Sequence, residues 1–177
     1  IRDFSLLQTP PPGRKNVTTY VGPASPQLYK EAIEEELARG GQVFYVTPRI
    51  QYLDPIVKLI GHLVPQARVV VAHGRLKEIE NIILSFTLKD ADVMVATSVV
   101  ENGLDLPNVN TLIVHESNYF GLSSLYQLKG RVGRSNRPAF AYFTYNGGKL
   151  LTEESRMRLR AIQELSYLGA GVELANR

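Results

Sequence analysis

The sequence contains no cysteine. That excludes disulfides, thiolate metal sites and cysteine nucleophiles, without fixing a compartment. Long apolar runs are missing too: the hydrophobic stretches have strand length, so nothing reads as a transmembrane helix. No secretory leader is visible and the first residue is Ile1, so the chain is expected to be an excised piece of a longer protein. A phosphate-cradling loop is also absent. Such a loop needs Gly, four residues, then Gly-Lys-Ser/Thr. The Gly148-Lys149 pair is followed by Leu150, with Phe143 where the first glycine belongs. Leu112–Glu116 imitates a magnesium-binding acidic strand but lacks the acidic pair. His115-Glu116 fails as a zinc motif, because Tyr119 occupies the second histidine position. No Ser/His/Asp constellation emerges from His62, His73 and His115.

What is present describes one globular domain. The chain has 177 residues, 44% hydrophobic and 21% charged, enough for one ordinary core and too few for two large ones. A net charge of +3 is compatible with nucleic acid and weak as an argument for it. Its distribution says more. Lys30 to Glu36 holds four glutamates, whereas Lys129 to Arg137 holds one lysine, three arginines and no acid.

Residues 1–16 read as a connector, since Thr9-Pro10-Pro11-Pro12-Gly13 cannot continue a helix or a central strand. Beyond them, apolar strand-like runs alternate with amphipathic stretches. Strands are expected at 17–21, 42–47, 68–72, 92–96, 111–115 and 140–145. Ser25-Pro26 predicts a helix start, and Gly40-Gly41 its end. Further helices are expected around Ile56–Leu63, Ile79–Phe86, Leu122–Lys129 and 152–168. The pattern predicts an α/β fold, a mostly parallel sheet with helices on both faces. Ligands of such sheets sit at the carboxyl ends of strands.

Gln127-Leu128-Lys129-Gly130-Arg131-Val132-Gly133-Arg134 is the most informative segment. Two permanently charged planar forks, interleaved with glycines, suit a phosphoryl group that accumulates charge. The plain alternative is a solvated basic helix end. Three further segments follow strands: Pro48-Arg49, His73-Gly74-Arg75, and Thr97-Ser98 through Gly103-x-Asp105-Leu106-Pro107. Thr97 and Ser98 could hold a phosphate or merely cap a helix. Gly103 with Asp105 could meet a ribose or merely form a turn. This common location predicts one functional edge shared with the arginine segment. The chain carries phosphate-sensing arginines and no cradle, which makes it half of a site.

In this order, these segments resemble the second RecA-like lobe of superfamily-two helicases and translocases. Phe44-Tyr45-Val46-Thr47-Pro48-Arg49 resembles motif IV, with His73-Gly74-Arg75 after it. Ala96-Thr97 through Asp105-Leu106-Pro107 resembles motif V, and Gln127–Arg134 resembles motif VI. Within the superfamily, Phe120-Gly121-Leu122, Ala141-Tyr142 and Leu168-Gly169-Ala170-Gly171 are similar to transcription-repair coupling factors, and next to RecG-type fork helicases. Asn102 and Lys129 depart from that pattern, where Thr or Ser and Arg are usual.

The resemblance implies a linker at 1–16, a RecA-like lobe at 17–150 and the start of a C-terminal helical translocation element at 151–177. It implies that Arg131 and Arg134 act catalytically at the γ-phosphate, one or both as an arginine finger. Gly103, Asp105, Gln127 and Gly130 would meet the nucleotide, and Pro48, Arg49, His73, Gly74, Thr97 and Ser98 the nucleic acid. No metal ligand is expected in this lobe. ATP with Mg²⁺ would be held mainly by a first lobe of the same parent chain. The other partners implied are double-stranded DNA and, through other domains, RNA polymerase. The implied address is a bacterial cytoplasm or an organelle, not the secretory route. Two alternatives stay open: a fork-remodelling helicase lobe, and a degenerate nucleic-acid-binding module without a catalytic cycle.

Overall fold

The computed structural model describes residues 17–73, 76–97, 106–133 and 136–164. The connector at 1–16, residues Gly74, Ser98, Gly103, Asp105 and Arg134, and the tail beyond Glu164 lie outside the described residues.

Six strands form one sheet: β1 (Val17–Pro23), β2 (Gln42–Thr47), β3 (Val69–Ala72), β4 (Val93–Thr97), β5 (Val109–Val114) and β6 (Ala139–Tyr145). Their spatial order is β1-β6-β5-β2-β4-β3. Every pairing is parallel. Parallel strands need helical crossovers, and these cover both faces. α1 (Pro26–Ala38) and α2 (Leu53–Leu63) lie on one face. α3 (Leu76–Thr87), α4 (Leu122–Lys129) and α5 (Glu153–Glu164) lie on the other.

Alternation along the strands assigns the two cores. On β2, Val43 and Tyr45 pack toward α1 and α2, while Phe44 and Val46 pack toward the opposite helices. All four are fully buried, which explains why β2 reads as a continuous apolar run rather than an alternating one.

Helix α1 begins as the sequence predicts. Ser25 is extended, its hydroxyl accepts from the Leu28 N–H at 3.3 Å, and Pro26 occupies the first turn. At the other end Gly40 is left-handed, at φ 81°, and the Gly41 N–H closes onto the Glu36 carbonyl at 3.0 Å. A β-carbon on Gly41 would lie 1.9 Å from the Glu36 carboxylate, so any larger residue here must displace that side chain. Glu36 itself is fully buried. Its Oε1 accepts from the Thr111 hydroxyl and, at 2.6 Å, from the Arg39 guanidinium.

Element bounds shift slightly from the sequence reading. His115 falls just beyond β5, although its N–H still donates to the Val46 carbonyl at 2.7 Å. Thr97 closes β4 instead of opening the following turn. Helix α5 spans Glu153–Glu164 within the described residues.

Candidate functional site

Parallel strands end together. Moving across the carboxyl edge, the sheet presents Tyr145 of β6, His115 after β5, Thr47 of β2, Thr97 of β4 and His73 after β3. Pro48 and Arg49 follow Thr47 directly. Pro48, Arg49, His73 and Thr97, which the sequence assigns to nucleic acid, therefore share one edge. A groove lined by Ile50, Gln51, Leu53, Asp54 and His73 joins the end of β3 to the start of α2.

Thr47 and Thr97 are register partners on β2 and β4. Both are buried, and among the described residues neither hydroxyl has a hydrogen-bond partner. An orphaned buried hydroxyl costs stability. In this conformation the Thr97 hydroxyl is not presented to solvent, so it offers no open contact for a phosphate.

His115 is enclosed by aromatic rings. Its ring centroid lies 6.4 Å from Tyr29, 6.2 Å from Tyr45 and 5.9 Å from Tyr52. The Tyr29 hydroxyl is held by the Thr144 hydroxyl at 2.7 Å. Burial pushes the His115 imidazole below its ordinary range, and the Glu116 carboxylate, 3.6 Å away, only partly opposes this. The same burial raises the Tyr45 phenol well above its usual value. The His115 imidazole and the Tyr45 phenol are therefore neutral near pH 7, and nothing in the spacing of the sequence points to this cluster. Only the register of β2 against β5, with α1 and α2 packed over it, assembles it.

The arginine segment lies elsewhere. Helix α4 begins near the carboxyl edge and descends toward the opposite end, where β6 starts. The expectation of one shared edge is thus corrected. The eight residues of α4, about 12 Å of rise, separate Gly130 and Arg131 from the loop after β5. The physical reason is the crossover itself, which must return the chain to the start of the next parallel strand.

Gln127 sits on the last turn of α4, and Gly130 caps it, with the Gly130 N–H donating to the Tyr126 carbonyl at 2.9 Å. The Arg131 N–H donates to Leu128 at 3.0 Å, extending the turn. Val132 is buried in the core and anchors the segment, while Arg131 is half-buried beside it. Gly133 is left-handed, at φ 78°, and turns the chain immediately before Arg134.

Lys129 does not fit the plain reading of a solvated basic end. It is buried, its Nζ donates to the Ile162 carbonyl at 3.2 Å, and burial lowers its ammonium to about 7. The sequence did carry a signal: Lys129 lies four residues after Leu125, on the buried face of α4.

Residues 26–136 match the helicase conserved C-terminal domain family. The chain is 50% identical over 179 residues to the transcription-repair-coupling factor of Bacillus subtilis (strain 168), covering all of this chain and 15% of that protein. It is 48% identical over 177 residues to the protein of the same name from Borreliella burgdorferi, covering 99% of this chain and 16% of that one. Among solved structures it is similar to RecG bound to a three-way DNA junction, with a TM-score of 0.77 and 32% identity. That match covers 94% of this chain and 22% of RecG. The C-terminal domain of the DEAD-box protein Dbp5 shares the fold, at a TM-score of 0.58 and 20% identity, over 88% of this chain and 87% of that one.

Proposed function

The chain belongs to the helicase conserved C-terminal domain family, and from that membership we propose that it is the second motor lobe of an ATP-driven double-stranded-DNA translocase of the transcription-repair coupling kind. The observation that carries this is the identity to a transcription-repair-coupling factor, which runs across the whole chain at 50%. The motifs agree with it. Two arginines without a phosphate cradle make sense only opposite a lobe that holds the nucleotide.

The substrate is ATP, whose magnesium and triphosphate the first lobe would hold. Closure of the two lobes would bring Arg131 and Arg134 to the γ-phosphate, where a fixed guanidinium stabilises charge developing on the transferred group. Gly103 and Asp105 would approach the nucleotide from this lobe, beside Gln127 and Gly130. Pro48, Arg49, His73, Gly74 and Ser98 would follow the DNA backbone, and Thr97 would join them only once lobe closure exposes its buried hydroxyl. Reopening after hydrolysis would move that edge along the duplex. Residues 151–177 would begin the element that transmits this motion. Its first helix is hydrogen-bonded to α4 through Lys129 and to the loop after β5 through Arg158.

The test is turnover. In the full-length motor, Arg134→Ala should abolish ATP hydrolysis while nucleotide binding is largely retained. The isolated lobe should hydrolyse no ATP, and robust activity in the pure lobe would defeat the proposal. The parent reading frame should also encode Gly-x-x-x-x-Gly-Lys-Thr and an acidic strand upstream. The structural likeness to RecG supports a second reading, a fork-remodelling helicase lobe. The appended domains of the parent chain separate the two.

A further inference from the structure

Two loops leave neighbouring strands in opposite directions at the carboxyl edge. After β2 the chain passes through Pro48–Tyr52 onto the face covered by α1 and α2. After β5 it passes through His115–Gly121 onto the face covered by α3, α4 and α5. A parallel sheet opens a crevice where adjacent strands send their connections to opposite faces, and ligands settle there.

Arg49 comes from the first loop and Tyr119 from the second. The Arg49 guanidinium carbon lies 5.5 Å from the Tyr119 ring centroid. Both side chains are exposed, Tyr119 by 49%. Among the described residues, Arg49 has no carboxylate within ion-pair distance. The ring attracts the cation without consuming an N–H donor. The guanidinium is therefore positioned while its hydrogen-bonding edge stays available for an anion.

Tyr119 is mounted on a rigid support. Glu116 takes a left-handed conformation, at φ 50°, which re-aims the chain after β5. Ser117 is fully buried, and its hydroxyl donates to the Thr144 carbonyl at 2.8 Å. The Tyr119 N–H donates to the Glu116 carbonyl at 3.0 Å. The carbonyls on either side, of Asn118 and Phe120, accept from the Arg158 guanidinium at 2.9 and 3.1 Å. Phe120 is buried in the core. A half-exposed ring held this firmly serves its exposed face.

We infer that Tyr119 is a positioning residue for nucleic acid: it holds the Arg49 guanidinium over the crevice between the ends of β2 and β5, where Arg49 takes a phosphodiester oxygen of duplex DNA. This rests on the function proposed above, which assigns Arg49 to the DNA path but leaves Tyr119 without a role.

The experiment measures binding of a fluorescein-labelled duplex to the full-length motor with a non-hydrolysable ATP analogue, across a salt series. Arg49→Ala should weaken binding about tenfold and flatten the log Kd against log salt slope by about 0.9, one phosphate contact. Tyr119→Leu should weaken binding about fivefold, with Tyr119→Phe close to wild type because the ring is kept. The Arg49→Ala/Tyr119→Leu double variant should bind no more weakly than Arg49→Ala alone, since the ring acts through the arginine. Thermal unfolding of the Tyr119 variants should match wild type, as the side chain is half exposed. Wild-type binding by Tyr119→Leu, an additive double variant, or equal losses for Phe and Leu would each overturn the role of Tyr119. If Arg49→Ala also binds like wild type, the proposed DNA path itself fails. Inorganic phosphate at matched ionic strength should not displace the duplex, and displacement would reassign the crevice to a free anion.

Discussion

The ammonium of Lys129 donates a hydrogen bond to the main-chain carbonyl of Ile162 at 3.2 Å, joining the last residue of α4 to α5. Two further contacts run alongside: the Tyr126 hydroxyl donates to the Ala161 carbonyl at 3.4 Å, and Arg158 grips the loop that enters α4. Helix α5 therefore touches both ends of the segment that leads to the arginines. Movement of one must be felt by the other, because packed elements do not deform continuously.

Lys129 should make stability depend on pH in the alkaline direction. Its folded value is about 7, well below its ordinary one near 10.4. Between those values the unfolded chain binds the extra proton, so stability rises with pH across this window and is flat below it. The slope should approach about 1.4 kcal/mol per pH unit. Lys129→Met should remove the climb, as urea unfolding between pH 6 and 10 (roughly spanning the window) would show. Parallel profiles for variant and wild type would contradict this.

His115 should act at acidic pH. Burial lowers its folded value below the ordinary value of about 6.5, so below that the unfolded chain takes up the proton first. Its contribution is therefore present near neutrality and is lost as pH falls toward the depressed value. An NMR titration of the imidazole should place its midpoint below the ordinary value. A midpoint at or above it would show that the Tyr29, Tyr45 and Tyr52 enclosure does not exclude water.

Thr47→Val and Thr97→Val should each be neutral or stabilising, by up to about 1 kcal/mol, because each replaces an unpartnered buried hydroxyl with a methyl group of similar shape. The denaturation midpoint reads this directly. If Thr97→Val is stabilised yet the full-length motor loses duplex affinity, the hydroxyl becomes available to DNA only in a closed state. Loss of stability in either variant would mean that the hydroxyl has a partner in solution.

Gly41→Ala should be costly, because the added β-carbon meets the buried Glu36 carboxylate at 1.9 Å. The other oxygen of that carboxylate accepts from Thr111 and Arg39, so swinging the group aside strains both hydrogen bonds. A loss of about 2–4 kcal/mol is expected in thermal or urea unfolding. A variant within about 0.5 kcal/mol of wild type would show that the helix end relaxes freely.

Arg131→Ala in the full-length motor should lower ATP turnover about 10³-fold or more, with nucleotide affinity changed little. Single-turnover kinetics with a nucleotide-binding assay separate the two. A matching loss in affinity would make Arg131 a ground-state binding residue instead.

How much was legible beforehand follows from which interactions are local. The Ser25-Pro26 start and Gly40-Gly41 stop of α1 depend on neighbouring residues, and the structure shows both. Continuous apolar strands separated by helices dictate a parallel sheet, and that too was readable. Motif order along the chain, from Pro48-Arg49 to Arg131, needed no coordinates and led to the family. What depends on residues distant in sequence could not be read this way. The strand order placed the Arg49 loop beside the Tyr119 loop, across 70 positions of sequence, and set His115 among three tyrosines. The descent of α4 carried Gly130 and Arg131 off the carboxyl edge that Pro48, Arg49, His73 and Thr97 share. The spacing from Leu125 marked the face of α4 that Lys129 shares, but only the packing of α5 buried its ammonium and depressed it. Backbone propensities and spacing act over a few residues, whereas desolvation and pairing are set by whichever elements the topology brings together.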